Sequence, residues 1–176
     1  GNSTIHKPLA EAVGTQKAHP HRGVGVSLLK DGLWVHSGGV NEPAPGWLWV
    51  LDLDGFVEFG GEAIDNEVRP IYKRVASYAA LSVSTTGAQV FFVSDKPPAT
   101  IPKIKFKPSE FAGQYPDIGK YQNRAIEIFS RRRFIALTGL LLFEGRIKPM
   151  RFIPAAEVDE ILEWLNTMAL DGGGQG

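Results

Sequence analysis

The chain contains no cysteine. That absence removes disulfide frameworks, thiolate nucleophiles and cysteine-based zinc sites from consideration. The four histidines, His6, His19, His21 and His36, lack ligand spacing, so no zinc is expected. No apolar run reaches the roughly 18 residues that a bilayer span requires. The start at Gly1 lacks the charged-then-apolar pattern of a secretion signal, and the expectation is a cytoplasmic protein without a membrane partner. Net charge is missing too, with 19 Lys and Arg against 19 Asp and Glu, which at first sight argues against a polyanionic partner. There is no internal repeat.

What is present is 176 residues with 43% hydrophobic content, enough for one well-packed domain or two small lobes sharing a cleft. Gly1-Asn2-Ser3 reads as a cloning scar, and residues 171–176 as a flexible Gly-rich tail, leaving 4–170 as the folded domain. The charges are segregated along it. From Lys96 to Arg151, twelve Lys and Arg face four acids, a net +8 that leaves −8 on the remainder. A basic segment in a neutral chain supplies the local potential that a phosphate backbone needs. The alternative is an electrostatic match between the two halves.

The pattern of elements is mixed. Residues 23–29 and 33–36, joined at Lys30-Asp31-Gly32, read as a hairpin. A polar loop follows, then a strand through Trp47-Leu48-Trp49-Val50-Leu51. Val68, Ile71, Tyr72, Val75 and Ala79 recur at helical spacing, with Asp65 or Asn66 placed to cap the helix. Strands are expected at Ala88 to Ser94, Ala125 to Phe129 and Phe134 to Phe143, with a long basic connector from Lys96 to Arg124. The chain closes on an amphipathic helix bearing Val158, Ile161, Leu162, Leu165 and Met168 on one face. This order reads as α+β.

Chemistry concentrates where the most hydrophobic strand runs into Asp52-Leu53-Asp54. Strand side chains alternate, so the two carboxylates share one face while Leu51 and Leu53 take the other. Two anions beside a core repel unless a cation bridges them, and carboxylate oxygens suit Mg²⁺ or Mn²⁺. The plainer alternative is a solvated strand end turned by Gly55. Glu127, on a strand between Ile126 and Ile128, is a candidate third acid. It is followed by Arg131, Arg132 and Arg133, whose forked donors suit phosphate. Ser82, Ser84 and Thr86 lie in a hydroxyl-rich loop that Gly87 would let approach a ligand closely before the chain enters a strand at Gln89.

Taken in order, these segments resemble the primase-polymerase domain of the archaeo-eukaryotic primase superfamily, of the plasmid and phage replication type. Asp52-Leu53-Asp54 is similar to its first metal motif, and Ser82, Ser84 and Gly87 to its Ser-x-Ser-Gly-x-Gly-x-His loop. Glu127, Arg133, Phe134, Thr138 and Gly139 fit its third motif. The chain departs from the family at Thr85, where glycine is usual, at Thr86, which often meets lysine, and at Gln89, where histidine is usual.

The resemblance implies an RRM-like antiparallel or mixed sheet with an additional small α/β lobe. It implies a DNA-templated nucleotidyl transferase in which Asp52, Asp54 and Glu127 hold two Mg²⁺ or Mn²⁺ ions. Ser82, Ser84, Thr86, Gln89 and Arg133 would bind the incoming dNTP or NTP. From charge and position, Lys103, Lys105, Lys107, Lys120, Arg124, Arg131 and Arg132 would follow a single-stranded or primed DNA template. A helicase domain in a longer parent chain is a further partner to expect.

Two rivals stand beside this reading. Haloacid-dehalogenase-like phosphatases also begin with a hydrophobic strand and Asp-x-Asp-Gly, which would make Asp52 a nucleophile, Asp54 a general acid and Val93-Ser94-Asp95 the second motif. The other rival is a non-catalytic nucleic-acid-binding module that keeps the fold without turnover.

Overall fold

The computed structural model describes residues 24–36, 43–61, 63–140, 142 and 148–172. Outside the described residues lie His6, His19 and His21, Gly23 of the expected hairpin, the polar loop at 37–42, Glu144, and most of the Gly-rich tail. In chain order the elements are β1 (Val24–Leu28), β2 (Trp34–Val35), β3 (Gly46–Asp54), α1 (Arg69–Val75), β4 (Tyr78–Leu81), β5 (Ala88–Ser94), β6 (Ile104–Lys105), a 3₁₀ turn (Glu110–Ala112), α2 (Gly119–Gln122), β7 (Ala125–Phe129), β8 (Arg133–Leu137), β9 (Arg151–Phe152) and α3 (Ala155–Gly172). The fold is α+β with a mostly antiparallel sheet.

The main sheet runs β4-β5-β3-β7-β6, with β2 on the start of β3 and the short β9 parallel to β5. β3 is its centre because its period-two pattern gives both faces something to bury. On one face Trp49, Leu51 and Leu53 join Val90 and Phe92 of β5 and Ile126 and Ile128 of β7. Ile71, Tyr72 and Val75 of α1 and Val158, Ile161 and Leu165 of α3 cover that layer. On the other face Leu48 and Val50 pack with Phe91, Phe129, Leu28 and Ile135. The last two come from β1 and β8, which pair antiparallel from Val24↔Leu137 to Leu28↔Arg133 and roof the apolar half of this face. Beyond Val50 the same face turns polar, at Asp52 and Asp54.

Several local expectations change in the structure. Lys30 and Asp31 do form a turn, with the Gly32 amide donating to the Leu29 carbonyl at 3.2 Å. The flanking strands nevertheless do not pair with each other: β1 joins β8 and β2 joins β3, so there is no hairpin. The helix α1 starts at Arg69 with Pro70 in its first turn and has no side-chain cap at Val68. Asp65 instead accepts from the Glu67 amide at 3.0 Å and from the Ser109 hydroxyl at 3.0 Å. Ala79, assigned to the helix from its spacing, lies in β4 because the chain reverses at Ala76, whose φ is +43°. The strand expected over Phe134 to Phe143 ends at Leu137, before Gly139 at φ +70°. Among the described residues, the element beside the main sheet is the β1–β8 ribbon, with no separate α/β lobe.

Candidate functional site

Strand register assembles the acids. Asp52 lies directly across from Glu127 on β7 and from Gln89 on β5, so one transverse row reads Gln89–Asp52–Glu127. Residues facing each other across antiparallel strands have Cβ atoms about 4.5–5.5 Å apart. Asp54 stands two positions further along β3, about 7 Å away on the same face. All four side chains are partly buried. Glu127, 73 to 75 positions further along the chain than the aspartates, is therefore beside them in space.

The row is strained, and basic side chains relieve the strain. Burial pushes the Asp52 carboxyl up to about 7, and the charges of Asp54 and Glu127 add to that push against Lys103 and Lys120. Lys103 Nζ stands 3.0 Å from Glu127 Oε1 and Arg133 Nη2 lies 3.4 Å from Glu127 Oε2. Burial raises the Glu127 carboxyl, but these two cations outweigh it and hold it below the ordinary glutamate value. Lys120 Nζ sits 2.7 Å from Asp54 Oδ2. Three carboxylates thus face three cations. Gln89 Oε1, in the same row, is buried with no hydrogen-bond partner among the described residues.

Lys120 reaches Asp54 because Gly55 permits it. Gly55 has φ +82°, and a Cβ there would stand 2.4 Å from the Lys120 carbonyl oxygen, so no other residue lets α2 come this close to the end of β3. The hydroxyl loop docks at the same end. A Cβ on Gly87 would lie 2.5 Å from the Leu53 carbonyl oxygen and 3.3 Å from Asp54 Cα. Ser82, Ser84 and Thr86 form a chain of hydroxyls, 3.0 Å and 2.9 Å between successive oxygens, and Ser82 also accepts from the Gly87 amide at 3.2 Å. Thr85 has φ +58°, the left-handed conformation that glycine adopts most easily. The Thr138 hydroxyl donates to the Leu81 carbonyl at 2.7 Å and tethers the Thr138-Gly139 segment to the start of this loop.

The basic residues separate into different environments. Lys105, opposite Ala125 on the edge strand, and Lys107 are exposed. Lys103 and Lys120 bind the acids, a pairing the sequence reading did not anticipate. Arg132 is exposed in the turn at φ +55°, and Arg131 is partly buried with its Nε unpartnered among the described residues. Arg124 requires a correction. Its side chain is 5% exposed, its Nη1 lies 2.8 Å from Asp65 Oδ2, and it also binds Glu67 and the Lys107 carbonyl. Its guanidinium lies over the Phe56 ring at 4.8 Å. It is a structural cation and cannot touch a template backbone. Phe134, unremarked from sequence beyond its motif position, is 70% exposed. The run of arginines before it is the only signal that could have drawn attention to it.

As the side chains stand, no group of three or more His, Cys, Asp or Glu among the described residues is gathered closely enough to hold a metal ion. The donor set is nonetheless of the hard-oxygen type that Mg²⁺ or Mn²⁺ takes, and its strained charge and orphaned Gln89 oxygen suit a cation there. A phosphatase would need its second-motif hydroxyl beside Asp52. Ser94 is fully buried opposite Trp47, five positions and about 17 Å along the sheet from Asp52. No helix among the described residues is long and apolar enough to cross a membrane. No family model matches the chain, and no curated protein matches it.

Proposed function

We propose that this protein is a metal-dependent nucleotidyl transferase of the primase-polymerase kind, extending a DNA or RNA 3′-hydroxyl on a DNA template. The observation that carries the reading is the register of Asp52 between Glu127 and Gln89, with Asp54 and the hydroxyl loop at the same strand end. The strand order supports it as well: in β4-β5-β3-β7 the first strand of the set lies centrally, as in an RRM-like sheet.

In this reading Asp52, Asp54 and Glu127 hold two divalent ions, which when bound acidify the attacking 3′-hydroxyl and neutralise charge on the α-phosphate and leaving pyrophosphate. The chain's own residues then bind and orient. Arg133, half-exposed beside Glu127, presents a fixed fork to phosphate oxygens, and the Ser82 and Ser84 hydroxyls donate neutral hydrogen bonds. Thr86, 2% exposed and bonded to Ser84, supports the loop from beneath and does not reach a ligand, contrary to the expectation from sequence. Gln89 also contributes a neutral donor, so triphosphate binding lacks the pH dependence that a histidine would confer. Lys105 and Lys107 follow the template backbone from the sheet edge.

The test is incorporation of labelled nucleotide on a primed template with Mg²⁺ or Mn²⁺. Wild type should extend the primer and Glu127→Gln should not; extension that survives this substitution rejects the acid triad. Occupation of the acid row by lysines favours a second reading, a nucleic-acid-binding module without turnover. Template binding without incorporation under every metal would select it.

A further inference from the structure

Among the described residues, the ion pairs that involve the basic connector include two kinds. Arg124 and Asp65 are each 5% exposed and locked by further hydrogen bonds, so breaking them leaves buried charge. Lys103 and Lys120 are different. Their side chains are 46% and 53% exposed, yet each holds one carboxylate of the acid row, Glu127 at 3.0 Å and Asp54 at 2.7 Å. The carboxylates are 21% and 20% exposed, but the ammonium ends stand about half in water, where the attraction is screened and another cation can take the place of the lysine. Both lysines stand at the margin of the row, Lys103 just before the edge strand β6 and Lys120 on α2 against Gly55.

We propose that Lys103 and Lys120 are exchangeable counter-ions: they neutralise the acid row while no divalent ion is bound, and on loading they leave Glu127 and Asp54 for the phosphates of a metal-bound nucleoside triphosphate. This rests on the acid row being a metal site. The charge balance argues for it. With the row already matched by Lys103, Lys120 and Arg133, divalent ions alone would build an excess of positive charge, and a polyphosphate arriving with them would cancel it. Metal and triphosphate then bind cooperatively, and by linkage each strengthens the other equally. The lysines are positioning residues in this scheme, acting through the ions and the phosphates.

The test measures Mn²⁺ binding by electron paramagnetic resonance, with and without a non-hydrolysable nucleoside triphosphate. Wild type, Lys120→Met and Lys103→Met/Lys120→Met are compared, each checked for folding by circular dichroism. Removing both competitors should tighten Mn²⁺ binding without nucleotide by about tenfold, and removing Lys120 alone by a smaller factor. The additional tightening that the triphosphate gives in wild type should shrink by a similar factor. Unchanged Mn²⁺ affinity in the single variant, with the nucleotide effect intact, overturns the lysine exchange while leaving the metal site standing, provided binding still depends on Glu127. Absence of any Glu127-dependent Mn²⁺ binding overturns both.

Discussion

Replacing Asp52 by asparagine should stabilise the metal-free protein at neutral to alkaline pH. Most substitutions in a sheet centre do the opposite. The Asp52 carboxyl, ordinarily at 3.8, is pushed up to about 7 in the fold. The folded state therefore holds its proton more tightly than the unfolded chain, so stability falls as pH rises from about 4 and levels off above about 7. Full ionisation corresponds to a ceiling of about 4 kcal/mol. Solvent screening at this partly buried position brings the expected gain to about 2 kcal/mol at pH 8. For a chain of this size that is an increase in Tm of about 4–8 °C. Below pH 4 the wild-type carboxyl is protonated, and the two proteins should converge. The assay is urea unfolding followed by circular dichroism between pH 4 and 8 with a chelator present. Saturating Mn²⁺ should stabilise wild type and close the gap. If Asp52→Asn is less stable than wild type at pH 8 without metal, the carboxylate is a structural partner and the reasoning fails.

Other substitutions separate structure from site. Arg124→Ala should cost about 3–5 kcal/mol in urea unfolding, because it strands Asp65 in a buried setting. Gly55→Ala combines left-handed strain with a collision against the Lys120 carbonyl and should cost about 3 kcal/mol. Gly60→Ala, at φ +94° with nothing within 4 Å, meets only the backbone strain and should cost about 1–2 kcal/mol in the same measurement. Lys105→Ala/Lys107→Ala should weaken single-stranded DNA binding and lower the salt dependence of log K by roughly 1.4. Mn²⁺ affinity should not change in that double variant, as neither lysine is paired with an acid among the described residues.

The three acids could be picked out from sequence because a period-two strand displays its faces and Asp52, Asp54 and Glu127 each sit within one, but that β7 lies beside β3 was expected only from the family resemblance. The strands at Ala88 to Ser94 and Ala125 to Phe129 fall where alternation and apolar runs place them. Pairing partners are less accessible. The Lys30–Asp31 turn reverses the chain as its composition suggests, yet turn chemistry does not choose which sheet a strand joins, and β1 finds β8 more than a hundred residues later. Arg124 shows the same limit for charge. A basic residue in a basic connector reads as surface, and only the return of Asp65, 59 residues earlier, fixes it as core. Lys103 and Lys120 are intermediate: their charge was evident, but their targets depended on how β6 and α2 fold back on β7 and β3.

Anomalous diffraction from crystals soaked in Mn²⁺ and a non-hydrolysable triphosphate locates the ions directly. Two peaks, each about 2.0–2.3 Å from carboxylate oxygens of the set Asp52, Asp54 and Glu127, with Lys103 and Lys120 moved off Glu127 and Asp54, are the expected result. Manganese bound elsewhere, with both lysines still on their carboxylates, would contradict it.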